Sequence, residues 1–132
     1  MKSKTIVLVA CGGAIGAVLR YLLTFFIPQK EFAFATLTAN LAGSFLLAML
    51  TAMWAAHFLD EALRPLLGTG FCGGFTTMST LSSEINLYIM EGDGLKSMIY
   101  LFLSLFGGLL VGWAGYAIGM RIPYKQQKGE QP

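Results

Sequence analysis

The chain has 132 residues, 55% of them hydrophobic and 12% charged, with a formal net charge of +2 and a mean hydropathy of +0.65. These proportions exclude disordered and most soluble classes, and the apolar residues fall in long blocks that leave no room for a separate soluble catalytic domain. The few cations sit at block ends rather than along a stripe, so no nucleic-acid partner is implied.

The first block, residues 5–27, carries one charge, Arg20, and at 1.5 Å per residue it is about 35 Å long, enough to span a membrane as a helix. Lys2 and Lys4 ahead of Leu8-Val9-Ala10-Cys11 look like a leader. The apolar run before Ala10 is short and continues past it, so no cleavage is expected. After a short loop at 28–31, the second block, 32–59, places Asn40 near its middle with Thr36, Thr38 and Ser44 close by.

The third block, 65–90, is written differently: Gly68, Gly70, Gly73 and Gly74 precede Thr76, Thr77, Ser79, Thr80, Ser82 and Ser83, with Glu84 beyond. Glycines meeting β-branched and hydroxyl residues at mid-membrane depth predict a broken helix. Irregular backbone at that depth survives only inside protein or beside a wet cavity, and carbonyls freed at such breaks are recurrent cation ligands. An unbroken, glycine-rich packing helix is the alternative. The fourth block, 97–119, is a spanning helix with Tyr100, Ser104 and glycines at 107, 108, 112, 115 and 119, and a polar tail, 121–132, is expected to be disordered.

Short connections join these blocks, so the expected fold is an all-α membrane protein of four transmembrane helices in one domain, residues 1–120. Gly12 with Gly16, Gly108 with Gly112 and Gly115 with Gly119 form pairs that permit close helix approach. Cys11 and Cys72 lack metal-ligand spacing and are expected to be small buried residues, and His57 is expected at the interface rather than as a ligand. No catalytic constellation can be assembled at membrane depth, so an enzyme is not expected.

Lys2, Lys4, Arg64, Arg121, Lys125 and Lys128 fall on the side bearing both termini, whereas Lys30 and Lys96 fall on the other, which predicts cytoplasmic termini. Arg20 lies within a spanning helix, where a mid-bilayer arginine costs about 2.5–3.5 kcal/mol. It either snorkels to the nearer interface or lines an electropositive vestibule that gathers anions. Asn40 is interhelical glue or, with Thr36 one turn earlier on the same face, part of a hydrogen-bonding rail along a pathway. Glu84 is expected in an aqueous vestibule near the membrane edge.

Three motifs now stand together: Gly12-Gly13-Ala14-Ile15-Gly16-Ala17-Val18-Leu19-Arg20-Tyr21, Thr36-Leu37-Thr38-Ala39-Asn40-Leu41-Ala42-Gly43-Ser44-Phe45, and Gly70-Phe71-Cys72-Gly73-Gly74-Phe75-Thr76-Thr77-Met78-Ser79-Thr80. In this order on four short helices, over about residues 5–120, they resemble the CrcB/Fluc fluoride channels. The resemblance implies passive fluoride efflux across the bacterial plasma membrane, protecting against fluoride toxicity, through an antiparallel dimer of bundles with two pores. It also implies a structural Na+ on the two-fold axis, with Gly73 and Thr76 as backbone carbonyl donors. By the same resemblance Asn40, Ser79, Tyr100, Ser104 and Thr36 line the fluoride pathway, and Arg20 matches a vestibule arginine. Met78 and Leu81 stand on that pathway where the family usually has phenylalanines, and Gly108 stands where relatives often carry a hydroxyl.

Fluoride is small and holds water tightly, so neutral donors from Asn, Ser, Thr and Tyr can replace its hydration without trapping it as a buried lysine would. The six-to-two cation asymmetry leaves two assemblies open: an antiparallel homodimer, or a heterodimer with an oppositely oriented paralogue. A rival reading is a small proton-coupled multidrug-type exporter that uses Glu84. Another is a scaffolding membrane subunit, which leaves Asn40 and the Gly-Thr stretch unexplained.

Overall fold

A computed structural model describes residues 2–27 and 32–129 of the chain, with side chains for 3–27 and 32–122. The expected loop at 28–31, with Lys30, and the last residues of the expected tail, 130–132, lie outside that part. The described residues are all-helical: α1 (Lys2–Phe26), α2 (Phe34–Ala55), a 3-10 turn (Glu61–Leu63), a π-helical segment (Pro65–Cys72), α3 (Gly73–Phe75), α4 (Met78–Met90) and α5 (Gly94–Gly129). The backbone of α5 stays helical into the stretch assigned above to the tail.

Among the described residues, three helices are long and apolar enough to cross a membrane: Ser3–Phe26, Phe34–Ala55 and Gly94–Ile122. The fourth rod of the bundle is composite. Its π-helical and α3 portions run to Phe75, Thr76 and Thr77 are extended (φ −78°, ψ 156° and φ −149°, ψ 124°), and α4 begins at Met78. Thr77 caps α4 through its side chain, accepting from Thr80 N at 3.2 Å, which satisfies one of the orphan donors of a helix start.

The second helix stops at Ala55 rather than at 59. His57 takes a left-handed φ of 55°, and Phe58 N donates back to Met53 O at 2.9 Å, a six-to-one closure that ends the helix. Gly92, at φ 81°, ends α4 in the same way, with Asp93 N donating to Tyr88 O.

Packing is backbone against backbone. A Cβ on Gly12 would lie 2.1 Å from Leu66 O, and one on Gly16 would lie 2.3 Å from Phe71 O, so α1 seats directly on the π-helical segment. On the other side, α5 lies on α2, with Gly115 and Gly119 pressed against the Phe45 and Met49 carbonyls. In lipid, where burial of apolar surface gives no drive, such close approach supplies the cohesion. The third expected pair is looser: Gly108 and Gly112 make only ordinary contacts to Ser44 and Ala48. Cys72 is buried, whereas Cys11, expected inside, is exposed on α1.

One cluster closes the end of the bundle where α2 begins. Ala33, Leu37, Leu81, Tyr88 and Tyr100 are buried together, with Phe32, Leu41 and Ile85 against them. Tyr100 is fully buried, edge-on to Phe32 and Tyr88. The hydroxyl of Tyr88 accepts from Ala33 N at 2.8 Å, so a phenol does the capping at the start of α2.

Candidate functional site

Thr36, Asn40 and Ser44 recur one turn apart on α2, and Tyr100, Ser104 and Gly108 do the same on α5. The two helices run in the same direction, because Leu41 faces Gly107, Ser44 faces Gly108 and Phe45 faces Gly115. Thr36 and Tyr100 meet at one rung through Glu84. Ser44 and Gly108 meet two turns on, so the register brings Ser104 to the level of Asn40.

At the first rung the Glu84 carboxylate is shared: Thr36 Oγ1 donates to Oε1 at 2.8 Å and Tyr100 Oη donates to Oε2 at 2.6 Å. Thr36 is 4% exposed and Tyr100 not at all, so these are strong hydrogen bonds in an environment poor in water. Sequence reasoning places Glu84 in a vestibule and does not foresee this pairing. The partners sit on α2 and α5, and no local spacing marks them.

At the second rung Asn40 clamps the extended residues. Its Nδ2 donates to Thr77 O at 3.0 Å, and Thr77 N donates to its Oδ1 at 2.7 Å, so one side-chain amide pairs with both polar groups of a single peptide residue. The Thr77 hydroxyl, besides capping α4, lies 3.2 Å from Ser79 Oγ and 3.1 Å from Thr80 Oγ1. The signal for Thr77 in the sequence is weak: threonine is a preferred N-cap residue, but position 80 lacks the Glu or Gln that completes a capping box. Ser104 Oγ is buried without a hydrogen-bond partner among the described residues.

Arg20 turns toward the extended residues and is half-buried. Its Nη1 donates to Thr76 O at 3.1 Å, and no carboxylate pairs with it among the described residues, so its charge is compensated by a carbonyl dipole alone. Thr76 also folds back, its Oγ1 donating to Cys72 O at 2.9 Å. Its methyl occupies the space a Cβ on Gly43 would fill.

The remaining pathway candidates divide. Leu81 is 3% exposed within the aromatic cluster, whereas Met78 is 67% exposed and Ser79 is also exposed. A cavity of about 250 Å³ is lined by Asn40, Gly43, Ser44, Leu47, Thr76, Thr77 and Met78. A second, of about 430 Å³, shares Leu47 and Thr76 and extends past Gly73, Cys72 and Thr69 to Trp54 and Arg64. Gly73 is exposed there, with open space around it.

Comparison with known proteins shows which family the sequence belongs to. Residues 7–116 match the family described as CrcB-like protein, Camphor Resistance (CrcB). A protein of Gloeobacter violaceus named fluoride-specific ion channel FluC is 50% identical over 114 residues, covering 83% of this chain and 91% of that one. Fluoride-specific ion channel FluC 2 of Bacillus subtilis is 44% identical over 125 residues, covering 91% and 92%. A protein of the same name from Halalkalibacterium halodurans is 38% identical over 125 residues, covering 95% and 92%. These relatives are named as ion channels, not enzymes. With a family match over most of its length and several apolar helices, the chain is a multi-pass membrane protein that belongs to the CrcB-like family.

Proposed function

We propose that the chain is a fluoride channel subunit that lets fluoride leave the cell passively. The observation that carries this is the 50% identity to a named fluoride-specific channel across 91% of that protein. The site supports it chemically. Hydroxyls of Thr36, Tyr100 and Ser104, with the exposed Ser79 and the second N–H of the Asn40 amide, offer hydrogen-bond donors without a fixed positive charge, which suits a small anion that must be bound and then released. Arg20 keeps the surroundings positive from outside this row.

Glu84 is the obstacle in such a row, since an anion cannot rest beside an ionised carboxylate without repulsion. Thr36 and Tyr100 both donate to it. In this reading those two donors are exchanged from carboxylate to fluoride as the carboxylate swings aside. The exchange keeps the donors occupied at every moment and limits the cost of unpaired polar groups.

The working unit in this proposal is an antiparallel dimer with two pores and a structural Na+ between subunits. The groove past Gly73 and Thr76 supports it: these residues are open on one face, with backbone oxygens as the available donors, and hard oxygen ligands suit an alkali cation. Gly73 and Thr76 would hold that ion, which supplies positive charge near the anion path. A heterodimer with an oppositely oriented paralogue is a second reading, favoured by the six-to-two cation asymmetry. Efflux from liposomes containing this chain alone tests both, since efflux at wild-type family levels needs no paralogue.

A further inference from the structure

We propose that Asn40 and Thr77 are positioning residues for the cation site: their side chains take the two N–H groups that a continuous helix would give to Gly73 and Thr76, leaving those carbonyls free to bind a cation. The inference rests on the reading above that a sodium ion is held at Gly73 and Thr76.

In an unbroken α-helix each N–H bonds the carbonyl four residues earlier, so Thr77 N belongs to Gly73 O and Thr80 N belongs to Thr76 O. Neither pairing is made. Thr77 N donates to Asn40 Oδ1 at 2.7 Å, and Thr80 N donates to Thr77 Oγ1 at 3.2 Å. The carbonyls on either flank are occupied instead. Cys72 O accepts from both Thr76 N at 3.0 Å and Thr76 Oγ1 at 2.9 Å, and Thr77 O accepts from Asn40 Nδ2 at 3.0 Å. Asn40 and Thr77 thus take up the two N–H groups that would otherwise cover the Gly73 and Thr76 oxygens.

Thr76 O is shared with Arg20 Nη1 at 3.1 Å, but a carbonyl oxygen has two lone pairs and one remains. Without the Asn40 amide, the Gly73 carbonyl is the acceptor that a continuous helix offers to Thr77 N, and closing the helix over the ligand relieves the cost of a buried N–H without a partner. Thr77 is 8% exposed, so water is a poor substitute.

The test is a sodium titration of thermal unfolding on the full-length purified protein in detergent, followed by tryptophan fluorescence, with sodium replaced by N-methylglucamine at constant ionic strength. Sodium binding to the folded form raises the midpoint of the wild-type protein. Asn40→Ala and Thr77→Val should each raise the half-saturating sodium concentration about tenfold, the equivalent of one lost buried hydrogen bond, whereas Thr77→Ser, which keeps the hydroxyl, should restore the wild-type value. A merely structural role lowers the midpoint at every sodium concentration without moving the half-saturation point. Should Asn40→Ala not fold, the Thr77 pair decides alone. Wild-type half-saturation in Thr77→Val overturns the proposal while leaving the cation site standing, and a wild-type midpoint indifferent to sodium overturns both.

Discussion

Tyr100, with no exposed surface, donates its phenolic hydrogen to Glu84 Oε2 across 2.6 Å, and Thr36 holds the other oxygen of the same carboxylate at 2.8 Å. A hydrogen bond to a charged group contributes about 1.5–3 kcal/mol, so Tyr100→Phe should lower fluoride efflux roughly ten- to hundredfold while leaving the aromatic packing with Phe32 and Tyr88 intact. Liposome efflux paired with a circular dichroism melt separates the two effects.

Glu84→Gln keeps one acceptor and removes the charge. Passive efflux should persist, within about tenfold of wild type, with no dependence on a proton gradient. The proton-coupled exporter reading expects the opposite: gradient-driven transport of a cationic substrate that this substitution abolishes.

Gly16 and Gly73 should respond differently to the same change. An added methyl at Gly16 lies 2.3 Å from Phe71 O and 2.8 Å from Phe75 N, both backbone atoms that cannot yield, so Gly16→Ala should cost about 3 kcal/mol of stability. At Gly73 an added methyl meets no other part of the subunit within 4 Å. Gly73→Ala should leave the subunit fold unchanged and weaken the proposed dimer, which gel filtration or cross-linking reads directly.

Restoring phenylalanine at the two departures from the family pattern should also divide. Leu81 is 3% exposed in the cluster with Tyr88 and Tyr100, so Leu81→Phe overpacks it and should cost about 1–3 kcal/mol. Met78 is 67% exposed, and Met78→Phe should leave the unfolding midpoint within experimental scatter of wild type.

In the proposed channel Arg20 acts by charge as well as by its contact to Thr76 O. Arg20→Gln should reduce efflux and flatten its dependence on ionic strength, because the attraction that salt screens is then gone. Equal salt dependence in wild type and variant would remove the guanidinium from the electrostatics of the pathway.

The long helices were legible because their apolar runs match the hydrocarbon thickness, and Thr36 and Asn40 because they stand one turn apart on one face, whereas Tyr100 and Ser104 were placed only through the family resemblance. The end of α2 was not, since His57 adopts a left-handed conformation that sequence assigns to glycine or asparagine. The register between Thr36 and Tyr100, and the meeting of both with Glu84, is tertiary and leaves no periodic trace. Arg20 was visible as costly, but its partner is a main-chain carbonyl, which no residue type announces. The same holds for Asn40, whose amide is bound to the backbone of Thr77 rather than to another side chain.

The most direct test of the central claim is fluoride efflux from liposomes reconstituted with this chain alone, read with a fluoride electrode and with chloride efflux as the control. Rapid fluoride release with chloride retained is the expected result. Retention of fluoride at the rate of empty liposomes, or equal release of both halides, would contradict it.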